Sequence, residues 1–159
     1  MAKLDVHTKV QAWLDQFNLG LKIIDTPENT ATAELAAAAL GTEVGQIAKS
    51  LLFRVGDDDY VMVITAGDVK VKSGKLKAIV GSKPRMASVD EVQAVTGYSI
   101  GGVCPFDLPE ESKIKILLDD SLGRFPVVYA AAGTDHSAVG VTLEQLQQIT
   151  GGTIVSVTK

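Results

Sequence analysis

The stretch "IAKSLLFRVGDDDYVMVITA" (residues 47–66) places two apolar runs, rich in Val, Ile, Phe and Tyr, on either side of a glycine and three aspartates. Runs of this kind separated by a Gly/Asp cluster read as two antiparallel strands joined by a hairpin loop over residues 56–59. Three successive aspartates also invite a cation, but turn chemistry accounts for them: Asp accepts local backbone hydrogen bonds and Gly takes positive φ. No metal is therefore expected there. Lys49 breaks the first run with a charge, and Ser50 follows it. Alternation along a strand can place Lys49 on an open face. Alternatively, an ammonium at the rim of a pocket holds a phosphate or carbonyl oxygen as a compact cation.

Around this pair the chain alternates irregularly between helical and strand patterns. Val6, Val10, Trp13, Leu14 and Phe17 recur at helical spacing, giving a first helix over about 5–18, and "LKIID" (21–25) reads as a short strand. Thr26-Pro27 is expected to open a second helix through the alanine-rich run to Leu40-Gly41, since proline is tolerated at the first helical position. A third helix is expected over 69–81. Ser88 and Glu91 form a capping-box pattern for a fourth that ends at Gly97, and Thr142 with Gln145 forms another for a fifth. "KIKILLD" (113–119), "PVVYAAAG" (126–133), "AVGVT" (138–142) and "TIVSV" (153–157) complete the strands, the second reading as buried on both faces. The expected fold is α/β: a mixed sheet of about six or seven strands with packed helices, in one domain over 1–159.

Bulk properties agree. At 159 residues and 46% hydrophobic, the chain can bury its own core. One cysteine forms no internal disulfide, and the amino-terminal stretch lacks the apolar core of a signal peptide. No apolar run approaches a bilayer span, so a cytoplasmic protein without a membrane partner is expected. The net charge of −4 hides an asymmetry. "KVKSGKLKAIVGSKPR" (70–85) holds Lys70, Lys72, Lys75, Lys77, Lys83 and Arg85 with no acid, leaving nine basic against nineteen acidic residues elsewhere. A lysine-rich solvated helix face gives such a pattern, and so does the footprint of a phosphate-backbone binder.

Chemistry has few other candidates. Cys104 would need a histidine to activate it as a nucleophile, and only His7 and His136 exist. His7 sits near the start of an amphipathic helix and is expected at the surface. A Cys104–His136–Asp135 set is one reading; a small, partly buried thiol beside Pro105 is the other. No local signature of a cysteine hydrolase surrounds Cys104. Gly101 and Gly102 let a ligand approach the backbone, and Pro105 stiffens the residues beyond it. Such a loop can aim N–H groups at an oxyanion or a phosphate, or can be a plain turn.

Three stretches in order, "IAKSLLF" (47–53), "GYSIGGVCPFDL" (97–108) and "VVYAAAGTDHSAVGVTLEQL" (127–146), resemble the YbaK and prolyl-tRNA editing-domain family from about Thr30 onward. The resemblance implies a hydrolase that removes a wrong, small amino acid from mischarged tRNA, typically tRNA(Pro). It implies no cofactor and no enzyme nucleophile: water or a substrate group attacks the ester while backbone N–H groups bind the oxyanion. Lys49 matches the lysine at the aminoacyl end of the tRNA, Gly101 and Gly102 the glycine loop, and His136 a histidine of some branches. Ser50, Cys104, Pro105, Gly133 and Asp135 are then expected around the substrate, and Lys70, Lys75, Lys83 and Arg85 against RNA phosphates. A prolyl-tRNA synthetase is a candidate partner. Ala130, Ala131 and Ala132 depart from the pattern, since the cysteine-removing branch tends to carry a serine there. Two other readings stand beside the deacylase: a silent tRNA- or synthetase-binding module of the same fold, and a Cys104–His136 hydrolase.

Overall fold

A computed structural model describes residues 5–159; the first four residues of the amino-terminal stretch lie outside the described residues. Helix α1 (Val6–Asp15) begins at Asp5, whose carboxylate accepts from Thr8 N–H at 2.7 Å, and buries Val10 and Leu14. Strand β1 (Ile23–Asp25) follows, then helix α2 (Ala33–Leu40), capped by Thr32 and closed by Gly41 in the left-handed conformation. The expected start at Thr26-Pro27 is therefore about six residues early. Other partners take the donors that a helix would need there: Thr30 N–H reaches the Asp135 carbonyl at 2.6 Å, and Ala31 N–H the Asn29 side chain at 2.8 Å. Residues 26–32 thus become a loop tied to a distant part of the chain.

Strands β2 (Ile47–Val55) and β3 (Asp59–Ala66) pair antiparallel along their full length, as the hairpin pattern indicated. Helix α3 (Ser73–Val80) starts later than expected. Strand β4 (Pro84–Met86), missed in the sequence, pairs with β2 and makes the strand count eight. Proline is tolerated at the first residue of such an edge strand. Helix α4 (Val89–Thr96) carries the full Ser88/Glu91 capping box. Strands β5 (Lys115–Asp119), β6 (Val128–Ala130) and β7 (Ser137–Val141), helix α5 (Leu143–Thr150) and strand β8 (Thr153–Val155) complete the chain. Strand β6 is only three residues of the expected eight, with Tyr129 half-buried, because the chain leaves the sheet after Ala130 to build a loop.

The sheet order is β1-β7-β6-β2-β3-β5-β8, with β4 beside β2. Pairings of β2 with β6, β3 with β5 and β5 with β8 are parallel; the rest are antiparallel. Alternation sorts the side chains into two layers. Ala48, Leu52, Met62, Ile64 and Leu118 pack with Val10, Leu14, Val92 and Leu146, which places α1, α4 and α5 on one face. Phe53, Val55, Val61, Val63 and Leu117 meet Leu76 of α3 on the other face, where Ile47 meets Ala36 and Ala37 of α2.

Asp119, fully buried at the end of β5, anchors the carboxyl-terminal segment. Its carboxylate accepts from Ser121 N–H (3.1 Å), Val157 N–H (2.9 Å) and the Thr158 hydroxyl (2.8 Å). Burial alone would raise its pKa, but these hydrogen bonds outweigh it and hold the carboxyl below its ordinary range. Asp119→Ala strands three donors and is expected to cost about 3 kcal/mol or more in urea unfolding. Because the folded-state pKa is depressed, this contribution is present at neutral pH and lost only as the pH falls through and below the ordinary carboxylate range. A wild-type-like denaturation midpoint in the variant would refute the anchoring role.

Candidate functional site

The edge of β2 opposite β3 is covered by two different strands with a gap between them. Strand β6 pairs only with Ile47 and Ala48, and β4 only from Phe53 to Val55. The Leu52 carbonyl accepts from Ala87 N–H at 3.0 Å, so the backbone groups of even-numbered residues face this edge. The N–H and C=O of Ser50 therefore point into the gap, where no strand covers them.

A cleft of about 310 Å³ fills the opening. Ala48 to Leu52 form its floor, Met86, Ala87 and Val92 one wall, and Tyr129, Ala130, Ala131, Ser137 and Ala138 the opposite wall. Thr30 to Ala33, Ile100, Gly101 and Val103 close it from two loops. Because the sheet is interrupted, side chains from both of its faces reach the cleft: Lys49 from the α2/α3 face and Ser50 from the face shared with Ala48 and Leu52. Lys49 is half-buried and makes no ion pair among the described residues. The nearby Asp68 is committed to Arg124 at 2.5 and 3.2 Å. Those hydrogen bonds hold its carboxyl below the ordinary range against burial, with smaller electrostatic help from Arg124 and Lys49. Ser50 Oγ is buried and has no hydrogen-bond partner among the described residues.

Of the residues singled out in the sequence, Lys49, Ser50 and Gly101 line the cleft. Gly101 has φ +97°, a conformation that favours glycine, and a β-carbon there would stand 3.0 Å from that of Ala31. Gly102 has a different task. Its N–H donates to the Ser99 carbonyl at 3.0 Å, and a β-carbon would lie 2.6 Å from the Gly133 carbonyl. It lets two loops touch and has no N–H to spare for an oxyanion. Gly133 packs against Val10 and Tyr98 and does not line the cleft. His136 is half-exposed outside the lining, with Nδ1 2.6 Å from Asp135 Oδ1. The pair still stands beside the mouth, because a Gly101 β-carbon would lie 3.3 Å from that of Asp135.

Cys104 and Pro105 are corrections: both are buried away from the cleft. Cys104 belongs to the main core, and burial pushes its thiol up to about 12. It faces no histidine, so the Cys104–His136–Asp135 set does not assemble. In the basic stretch, Lys70, Lys72, Lys75, Lys77 and Lys83 are exposed. Arg85 is drawn into a two-point pair with Glu91 (3.1 and 3.2 Å), which also accepts from Tyr60. Hydrogen bonds from Arg85 and from Ser88 N–H hold Glu91 down at about 2. Arg54, Lys83 and Arg85 line a second, shallower groove, and β4 runs from it to Met86 at the main cleft. Thr30, Tyr129, Met86 and Ser137 carry no signal in the sequence, because they become neighbours only through the sheet's topology.

The aminoacyl-tRNA editing domain model matches residues 27–149. The chain belongs to this family. It is 37% identical over 139 residues to the uncharacterized protein YwhH of Bacillus subtilis, covering 87% of each chain. It is 30% identical over 154 residues to the multifunctional Ser/Thr-tRNA deacylase ProXp-y of Escherichia coli, covering 92% of this chain and 90% of that one. Identity to the proline–tRNA ligase of Thermosipho melanesiensis is 35% over 131 residues, 80% of this chain but only 22% of the ligase. The solved structure of a proposed trans-editing enzyme for prolyl tRNA synthetase superposes with a TM-score of 0.86 at 34% identity, covering 99% of both chains. No described helix is long and apolar enough to cross a membrane.

The burial of Cys104 has a direct consequence. In the native protein its thiol is expected to react with iodoacetamide at pH 8 at least ~10²-fold more slowly than in urea, since only the accessible thiolate attacks. Rapid native labelling would contradict the placement.

Proposed function

We propose that the protein is a trans-acting aminoacyl-tRNA deacylase that hydrolyses the ester joining a small, wrong amino acid to tRNA, with tRNA(Pro) as the leading candidate. The observation that carries this reading is the Lys49 ammonium, free of ion pairs among the described residues, at the floor of a small cleft opened by an interrupted strand edge. The deacylase and trans-editing descriptions of the two relatives that match nearly the whole chain support it.

In this reading Lys49 holds the phosphate or ribose end of the acceptor strand, and the aminoacyl group enters the gap. Water attacks the ester carbonyl carbon and the bond to the ribose oxygen breaks. The water's proton goes to that oxygen, giving a free amino acid and uncharged tRNA. The backbone N–H of Ser50 and the Gly101 loop face the developing oxyanion, a role in which fixed donors are worth more than mobile water. Gly102 supports the loop from behind. His136, steadied by Asp135, orients water or substrate at the mouth. Lys70, Lys75 and Lys83 give the RNA phosphates a sequence-independent hold, with Arg85 tempered by Glu91. Localisation in the cytoplasm and a transient association with prolyl-tRNA synthetase belong to the same proposal. The lining residues Ala130 and Ala131, where a serine is expected in the cysteine-removing branch, favour a second reading: a silent binding module.

Lys49→Ala is expected to lower kcat/KM on mischarged tRNA on the order of 10²-fold, with a wild-type-like melting curve. Ester loss at an unchanged rate would remove Lys49 from the mechanism. Tight binding of charged tRNA with no ester loss from any amino acid would establish the silent module instead. Raising salt is expected to increase KM for tRNA while sparing hydrolysis of a minimal aminoacyl-adenosine ester, which lacks the phosphates.

A further inference from the structure

Lys49 serves a substrate only while no carboxylate of the protein itself holds its ammonium. Asp68 stands ready to do so. It follows the end of β3 by two residues, and β3 pairs with the start of β2 in the register Ala66–Ala48 and Thr65–Lys49. Its side chain lies against the chain that enters β2, where a β-carbon on Gly45 would stand 2.9 Å from Asp68 Oδ2. Gly67 packs the same turn against Val44 and against Ala33 of α2, on the face from which Lys49 emerges. Hydrogen bonding from Arg124 leads the causes that hold the Asp68 carboxyl down, and the charge of Lys49 adds to it.

Arg124 occupies this carboxylate first. Its Nε donates to the Ser121 carbonyl at 3.0 Å and its guanidinium lies 5.4 Å from the centre of the Phe125 ring, which leaves both terminal nitrogens for the two Asp68 oxygens at 2.5 and 3.2 Å. Ser121 Oγ in turn accepts from Ala66 N–H at 3.1 Å, so the turn that carries Arg124 is fixed to the end of β3. A planar fork that fills both oxygens outcompetes a single ammonium on a flexible stem. We infer that Arg124 is a positioning residue that acts through Asp68: by occupying this carboxylate it keeps the Lys49 ammonium free for the acceptor end of the substrate. The inference rests on the deacylase reading above. Neither Arg124 nor Asp68 lines the cleft, so the loss of Arg124 reaches the cleft through Lys49.

The experiment measures kcat/KM for ester loss from seryl-, threonyl- and alanyl-tRNA(Pro) with wild type, Arg124→Gln, Asp68→Asn and the double variant, alongside melting curves. On the ester that wild type hydrolyses fastest, Arg124→Gln is expected to lose about fivefold, the strength of one partly exposed ion pair. Asp68→Asn alone is expected to hold its rate, and the double variant to return to within about twofold of wild type. Should Arg124→Gln fail to fold, Arg124→Lys, which keeps the charge without the fork, takes its place with a smaller loss and the same rescue. A wild-type rate in the folded Arg124 variant overturns the inference. So does a double variant as slow as the Arg124 variant, because Arg124 would then act on the fold or on the RNA itself. Asp68→Asn alone as slow as Arg124→Gln overturns it too, since Asp68 would then assist Lys49. All three outcomes leave the deacylase reading standing. Wild type inert on every ester, beside an active positive-control deacylase, defeats that reading and this inference with it.

Discussion

A strand edge offers its N–H and C=O groups to whatever lies alongside, and along β2 two partners divide that edge without meeting. β6 runs parallel and departs after Ala48; β4 runs antiparallel and arrives at Phe53. Buried backbone groups with no partner are costly, so a gap of this kind persists only where water or a ligand can enter. The cleft and the convergence of Lys49 and Ser50 from opposite faces both stem from that one interruption. Had β6 continued along β2, as its apolar sequence suggests, the sheet would close and leave Lys49 and Ser50 on opposite sides of it.

Loop packing keeps β6 short. The chain turns away at Ala131 and Ala132 to place Gly133 against Tyr98 and α1, where a β-carbon would collide with Val6 Cγ1, while a β-carbon on Gly102 would lie 2.6 Å from the Gly133 backbone. The Tyr98 hydroxyl donates to the Phe106 carbonyl at 2.5 Å and fixes the loop that carries Gly101. Thr30 and Ser137 tie the third loop to β7 through hydrogen bonds between their backbone and side-chain atoms. Three loops distant in sequence thus form one rim, and the glycines divide the work: Gly101 faces the cleft while Gly102 and Gly133 hold the rim together.

Much of this was legible in the sequence because it is local. The capping boxes at Ser88 and Thr142, the hairpin at residues 56–59 and the anomalous charge at Lys49 are patterns within a few residues. Non-local features were not legible. Pro84 disguised β4, since proline argues against a strand unless the strand lies at an edge. Pro27 suggested a helix start, but the donors of residues 30 and 31 are taken by Asp135 and Asn29, the former more than a hundred residues away. Cys104 looked like a candidate beside two glycines; only packing shows that its side chain turns into the core. Ser50 looked like a small neighbour of Lys49, and its place at the uncovered stretch of the β2 edge depends on where β6 and β4 stop pairing.

The most direct test of the gap as the substrate site is an NMR titration with a non-hydrolysable 3′-amide analogue of seryl-adenosine. The largest amide shifts are expected at Ser50, Leu52 and Gly101, with smaller changes at Ala131. Shifts confined to the groove around Lys83 and Arg85, with the amides of residues 49–52 unmoved, would contradict that assignment.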